Sequence, residues 1–173
     1  VGTPLAIRWY LLFSTVTYPA RLEVLSGTVL LQSPGASEPI GVTLARPVPE
    51  GSIISTDSTS LALLTFVKDG NGEQVIGTAQ LYNNTTLQIA ESRVPRFHLS
   101  SRPNTLTLKL DRGLARVVSV EGENPSTQVE VRTPHGYAYL AEGSYSLSVS
   151  NQETQITARA GEFDALVVDC LTL

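Results

Sequence analysis

The chain has 173 residues, which suits one domain, and 42% of them are hydrophobic, which excludes a disordered chain. Charged residues make up only 16%, and the remaining polarity comes from 17 serines and 18 threonines. The net charge of −4, without a basic cluster, argues against nucleic-acid binding.

The chain opens with a strongly apolar segment, Leu5–Phe13, interrupted by Arg8. Because the sequence contains no Met, Val1 is not a translation start, and we expect a processed chain or part of a longer protein. The segment is too short to cross a bilayer as a helix. It could be the end of a targeting segment, a strand or helix packed on its own domain, or an arm that docks on a neighbouring copy. We treat residues 1–19 as this arm.

From residue 20 onward the hydrophobic pattern is that of β-strands. Strict alternation in Thr105–Leu110, Gln128–Thr133 and Tyr145–Ser150 predicts strands with one buried face. The expected core residues of the last two are Val129, Val131, Leu147 and Val149. Further stretches rich in β-forming residues are Leu22–Leu31, Leu61–Val67, Gln74–Leu81, Thr85–Ile89, Val117–Val120 and Gln155–Thr157. We therefore predict an all-β domain over residues 20–173, a roll, sandwich or solenoid-like fold of short strands separated by turns such as Asp111–Gly113.

Two loops carry groups that could bind a ligand or a glycan. Asp69–Glu73 places oxygen ligands at alternate positions, as a calcium loop does, but Asp-Gly and Asn-Gly are also strong hairpin signals. Asn83 and Asn84 each begin an N-x-Thr sequon, which matters only in a source that glycosylates secreted proteins. The simpler interpretation of both loops is an exposed turn.

The histidines and arginines could also belong to functional sites, and each group has a structural interpretation as well. His98 and His135 could join a Ser and an Asp in a hydrolase, but no Gly-x-Ser-x-Gly motif is present, and both are interpreted as surface or turn residues. Five arginines within 24 residues could bind phosphate or an anionic glycan, or could form a solvated strand face paired with acids. These are Arg93, Arg96, Arg102, Arg112 and Arg116. We expect no enzymatic activity, no cofactor and no metal site.

The chain ends in an apolar predicted strand, Leu166–Leu173, that contains the single cysteine, Cys170. One cysteine cannot form an internal disulfide. Cys170 is therefore either a buried structural thiol or a disulfide partner for a neighbouring subunit.

Four stretches share their order and spacing with a known family. They are Leu25–Leu31 with its early glycine, Val48–Leu64 with a loop glycine and an apolar pair before small polar residues, Leu106–Val120 with Arg112-Gly113, and Val129–Gly161 with its Thr-Pro turn. Over residues 22–165 the chain resembles the FecR domain, an extracytoplasmic β domain of bacterial envelopes. It departs from the family at Ala141-Glu-Gly-Ser144, where an Arg-Gly-Thr-like step is usual. The resemblance implies a non-catalytic domain that, in several members, relays signals to a sigma factor from behind one transmembrane helix.

The arm and the resemblance together predict a non-enzymatic, extracytoplasmic protein–protein interaction module. In its most concrete form it is a cell-surface structural subunit that self-associates through the arm, and its partners are copies of itself or another envelope protein. A contact between unlike surfaces of two copies would form rings or open filaments. The expected contact residues are Ile7, Trp9, Leu11 and Phe13 on the arm, with Val167 and Cys170 as a second contact.

Two alternatives remain. A periplasmic sensor domain that touches a receptor or an anti-sigma partner predicts a transmembrane helix just before Val1. A carbohydrate-binding module requires an exposed aromatic platform, whereas at least three of the 11 aromatic residues lie on the arm. Neither nucleic acid nor a small-molecule substrate is expected as a partner.

Overall fold

The computed structural model describes residues 3–68, 74–97, 100, 102–120 and 126–167. One helix, α1 (Thr3–Phe13), precedes the strands in this part of the chain. The strands are β1 (Thr15–Thr17), β2 (Ala20–Ser26), β3 (Val29–Gln32), β4 (Ile40–Val42), β5 (Arg46–Val48), β6 (Ile53–Ser55), β7 (Leu61–Val67), β8 (Val75–Leu81), β9 (Thr86–Pro95), β10 (Asn104–Ser119), β11 (Thr127–Thr133), β12 (Gly136–Leu140), β13 (Gly143–Val149), β14 (Thr154–Ala160) and β15 (Phe163–Val167). The predicted all-β fold class is confirmed.

The strands form two curled sheets that share β10. The first sheet has the order β4-β3-β6-β9-β10-β11-β12-β15, and β1 pairs with the end of β9. The second sheet has the order β5-β2-β7-β8-β10-β13-β14. Residues 104–109 of β10 pair with β11 in parallel, and residues 113–119 pair with β13 antiparallel. A single strand therefore carries the chain from one sheet into the other.

The predicted turn at Asp111–Gly113 is wrong, since β10 runs unbroken through it. The strand instead bends at Gly113, whose φ is +96°. A Cβ atom there would lie 2.4 Å from Thr85 Oγ1 and 2.5 Å from Thr85 Cα, so that only glycine fits. Thr85 Oγ1 accepts a hydrogen bond from the Leu114 N–H at 3.0 Å and lies 3.0 Å from the Leu114 carbonyl oxygen. The bend is thus a closely packed corner.

The core lies between the inner faces of the two sheets. Val129, Val131, Leu147 and Val149 are each at most 4% exposed, which confirms the prediction that they face the core. Leu106, Leu108 and Leu110 of β10 complete the same layer, together with further aliphatic residues. Alternation in the sequence therefore identified the buried face correctly.

The sheets end beside each other at β14 and β15. In the described part of the chain β14 pairs with β13 alone, and β15 pairs with β12 alone. Within the described ranges, each of these two strands therefore has one backbone edge without a partner strand. Such edges are templates for pairing with another chain unless something covers them.

Candidate interaction surfaces

The arm is a helix followed by a short strand. The run of leucines and alanine favours a helix, and Pro4 is tolerated because it lies in the first turn, where its missing N–H costs nothing. After Ser14 the chain becomes β1, which pairs with Arg93–Pro95 of β9. The Arg96 N–H extends this pairing by donating to the Ser14 carbonyl oxygen at 3.0 Å. Main-chain hydrogen bonds thus attach the arm to the first sheet.

One side of α1 rests on the chain just after β9. The Tyr10 ring meets the Phe97 ring edge to face at 5.9 Å, and the Arg96 guanidinium donates to the Tyr10 hydroxyl. The Arg102 guanidinium lies 5.0 Å from the centre of the Phe13 ring, a cation–π contact. Ser100 Oγ donates to the Leu12 carbonyl oxygen at 2.6 Å.

Several hydrophobic side chains between residues 7 and 13 of α1 are nevertheless exposed to solvent. Ile7 is 57% exposed and Trp9 is 65% exposed, while Phe13 is exposed and Leu11 is half-buried. Trp9 and Phe13 stack on each other, with ring centres 5.7 Å apart. No side chain from residues 7 to 13 is buried. The predicted arm residues thus include three exposed hydrophobic side chains on one short helix.

The predicted arginine cluster does not form a single site. Arg93 pairs with Glu50 and Glu91, each at 3.4 Å, as the interpretation of a strand face paired with acids predicts. Arg112 Nε donates to Thr86 Oγ1, and Arg116 Nε donates to Ser144 Oγ. Arg96 and Arg102 instead lie against the arm.

A second surface carries negative charge at the unpaired edge of the first sheet. Tyr139 on β12 is directly opposite Asp164 on β15, and both side chains are exposed on the outer face of the sheet. Leu166 is 54% exposed on the same face, and Glu162 and Glu142 lie at the adjoining corner. We call Tyr139, Glu142, Glu162, Asp164 and Leu166 the β15 surface. Within it Tyr139, Glu162 and Asp164 line a groove of about 410 Å³.

The charge of the β15 surface acts on a buried tyrosine beneath it. The Tyr145 hydroxyl donates to the Glu162 carbonyl oxygen at 2.6 Å and is closed off from solvent. Burial raises the pKa of Tyr145 above its ordinary value, and the negative charges of Glu162 and then Glu142 raise it further. Both carboxylates therefore lie close enough to the Tyr145 hydroxyl to disfavour its ionisation.

The turn residues are placed as the sequence predicts. His135 lies in the turn between β11 and β12, with Nδ1 2.9 Å from Thr154 Oγ1, beside an open groove of about 390 Å³. Asn83 and Asn84 lie in an exposed turn, where Asn84 has a φ of +55°.

Some predicted sites lie outside what the structure describes. Val167 ends β15 opposite Gly136 in the backbone ladder. Cys170, His98 and the Asp69–Glu73 loop are outside the described residues. Within the described ranges, no three His, Cys, Asp or Glu residues are grouped as a metal ion would need. Nor does this part of the chain contain a helix of the length and hydrophobicity that a membrane crossing requires.

The link between the arm and the arginines was not predicted. The two segments lie 86 residues apart in the chain at Tyr10 and Arg96, so no local pattern joins them. The sequence therefore carries no signal for this contact. Compared with known proteins, the chain matches no protein-family model, no curated sequence and no solved structure.

Proposed function

We propose that this protein is a non-enzymatic interaction module, a structural subunit that self-associates through its N-terminal arm outside the cytoplasm. The observation that carries the proposal is the set of exposed hydrophobic side chains on α1, with Ile7 and Trp9 both more than half exposed. The location outside the cytoplasm rests on the resemblance to the FecR domain.

The exposed rings of Trp9 and Phe13 have a considerable energetic cost in a lone molecule. At about 25 cal/mol per Å², burying a whole aromatic side chain of 150–250 Å² contributes roughly 4–6 kcal/mol as an upper bound. About half of that remains unrealised for Trp9 and Phe13, which are 65% and 40% exposed. A partner that covers both rings would gain much of it.

The arm also depends on packing for its helix. Isolated helices shorter than about 12 residues are marginal in water, and α1 has 11. On the domain side it is held by one edge-to-face ring pair, two cation–π contacts and few hydrogen bonds. A second molecule on the exposed side would complete the burial of the helix.

A carbohydrate-binding function has less support. Tyr137 and Tyr139 form a ring pair on the outer face of β12, but their planes are 83° apart. Two perpendicular rings do not present one flat face to a sugar.

The test compares surface variants of the full chain by light scattering and negative-stain microscopy. Ile7→Asp with Trp9→Asp places two charges among the exposed hydrophobic side chains of the arm, and we expect it to abolish self-association. The matched control is Leu44→Asp, because Leu44 is 79% exposed in the loop between β4 and β5. A monomeric wild-type chain, or equal loss of assembly in the Leu44→Asp variant, would overturn the proposal.

A further inference from the structure

The surface around the arm has an excess of positive charge. Residues 1–17 and 91–103 together contain four arginines and one glutamate. The glutamate, Glu91, pairs with Arg93, which also contacts Glu50. Arg8, Arg96 and Arg102 are exposed, and none of them pairs with a carboxylate among the described residues. Positive charges therefore lie beside the exposed rings of α1, and we call Arg8, Trp9, Phe13 and Arg102 the arm surface.

The β15 surface has the opposite charge. Residues 126–167 contain five acids and two arginines. Arg132 pairs with Glu130 at 2.5 Å, and Arg159 is exposed on β14. No ion pair within the described ranges involves Glu142, Glu162 or Asp164. Two of them, Glu162 and Asp164, line a groove together with exposed Tyr139, and exposed Leu166 follows Asp164 on the same face of β15.

The two surfaces lie at the same end of the first sheet without being neighbours in it. The ladders connect Ser92 on β9, through Leu106, Val129 and Leu140, to Phe163 on β15. Four strand spacings of about 4.8 Å separate β9 from β15, about 19 Å along the sheet. None of the ion pairs among the described residues joins them. Each surface therefore offers its charges and hydrophobic side chains to another molecule.

We propose that the arm surface of one copy docks on the β15 surface of a second copy, with Arg8 and Arg102 facing Glu162 and Asp164, and Trp9 packing on Tyr139 and Leu166. This inference rests on the proposed self-association and names its second surface. Opposite charge on the two surfaces selects this pairing, because arm against arm, or edge against edge, would bring like charges together.

The pairing allows two assemblies with the same contact. Because both surfaces lie at one end of the first sheet, two copies can exchange the contact reciprocally in a twofold dimer. If the rotation that relates neighbouring copies does not close into a ring, the same contact would instead extend into a filament. In either case the same residues meet, so one set of variants tests both.

The experiment is a charge exchange in the full chain, read by sedimentation velocity and light scattering. Arg8→Glu with Arg102→Glu reverses the arm surface, and Glu162→Arg with Asp164→Arg reverses the β15 surface. We expect each pair to weaken self-association about tenfold or more, because attraction at each contact becomes repulsion. The chain that carries all four changes restores attraction and should self-associate again, as should a mixture of the two reversed chains.

Controls separate charge exchange from damage to the fold. Arg46→Glu and Glu38→Arg reverse exposed charges near β4 and β5, and should leave assembly unchanged. Arg102 also contacts Phe13, so Arg8→Glu alone provides a second arm variant, because Arg8 has no ion pair among the residues described. Thermal unfolding followed by circular dichroism confirms that each variant is folded.

The outcomes distinguish this inference from the proposed function. If each reversed pair weakens self-association and the chain with all four changes recovers it, the docking is supported. Reversed pairs without effect, while Trp9→Asp still abolishes assembly, overturn the docking site and leave the arm as the contact. Loss in both reversed pairs without recovery in the exchanged chain also overturns it. A wild-type chain that stays monomeric overturns the proposed function and this inference together.

Discussion

The arm and the corner at the bend of β10 differ in how completely one copy of the protein buries their side chains and pairs their polar groups. At the corner and in the neighbouring Thr56–Ser60 segment, whose Asp57 carbonyl oxygen accepts from the Asn84 N–H, Thr56, Ser60 and Thr85 are buried. Their hydroxyls bond to backbone groups or to Asp57. On the arm, no side chain from residues 7 to 13 is buried, and a stacked pair of rings faces solvent. The comparison separates a part of the molecule that is complete within one copy from a part that a second copy can complete.

The largest expected effect is at the corner, from Gly113→Ala. The added Cβ meets Thr85 at 2.4 Å and must also adopt a φ of +96°, so we expect about 3 kcal/mol or more of lost stability in urea unfolding. Gly35→Ala is the matched control, because Gly35 also has a positive φ, +75°, but nothing within 4 Å of its Cβ position. It should cost only about 1 kcal/mol. Equal losses in the two variants would show that the corner is not closely packed.

Thr85→Val sharpens the comparison by removing one hydroxyl at nearly constant volume. The Leu114 N–H and carbonyl lose their bonds to Thr85 Oγ1, and we expect a loss of about 1–3 kcal/mol. Thr43→Val, at an exposed position, should change stability by less than about 0.5 kcal/mol. Self-association of both variants should be unchanged, since neither residue belongs to the arm surface or the β15 surface.

Asp57 gives the corner a pH dependence. Its Oδ1 accepts hydrogen bonds from the Thr59 N–H and from the Ser60 and Thr59 hydroxyls, which hold the pKa of Asp57 below its ordinary value of 3.8. A lowered pKa in the folded state stabilises the protein above pH 4 and ceases to do so as the pH falls through the folded pKa. Asp57→Asn should therefore be less stable than wild type at pH 7, with a difference that disappears at the acidic end of a thermal-unfolding series. If the stability difference persists at a pH where Asp57 is protonated, so that neither protein is charged at position 57, this explanation is contradicted.

The smallest expected effect is on the titration of Tyr145 beneath the β15 surface. Burial and the charges of Glu162 and Glu142 raise the pKa of Tyr145, so its contribution to stability is complete below about pH 10 and is lost as the pH rises through the folded pKa. Glu162→Gln should lower this pKa by part of the shift, since burial remains. Tyrosinate absorbance in the variant, compared with Glu38→Gln, measures it. An unchanged titration would mean that the β15 surface does not act on Tyr145.

The sequence predicted the fold class because alternation is a local signal. Leu61–Val67 matches β7, and the buried faces of β11 and β13 follow directly from alternate valines and leucines. Strands of three residues, such as β4 and β5, are too short for a period to be recognised. Predicted strand Leu22–Leu31 is divided into β2 and β3 at Gly27, whose φ is +73°.

Other features depend on long-range packing that no local pattern records. The segment Asp111–Gly113 has the composition of a turn, yet tertiary packing makes it a bend inside one long strand. The parallel pairing of β10 with β11 also has no local signal, because both strands show the alternation that is typical of antiparallel pairs. For the candidate surfaces, an apolar arm over residues 1–19 was predicted from composition, but its contacts with Arg96 and Arg102 were not.

Trp9 is the only tryptophan in the chain, so its fluorescence reports directly on whether the arm is covered in an assembly. In the single molecule its side chain is 65% exposed. The most direct test of arm-mediated self-association is the emission maximum of the full chain over a dilution series, with light scattering recorded on the same samples. If the arm binds a second copy, emission moves to shorter wavelength in step with oligomer formation, and Leu44→Asp behaves as wild type. Emission that stays at long wavelength while oligomers form would show that the arm is not the contact.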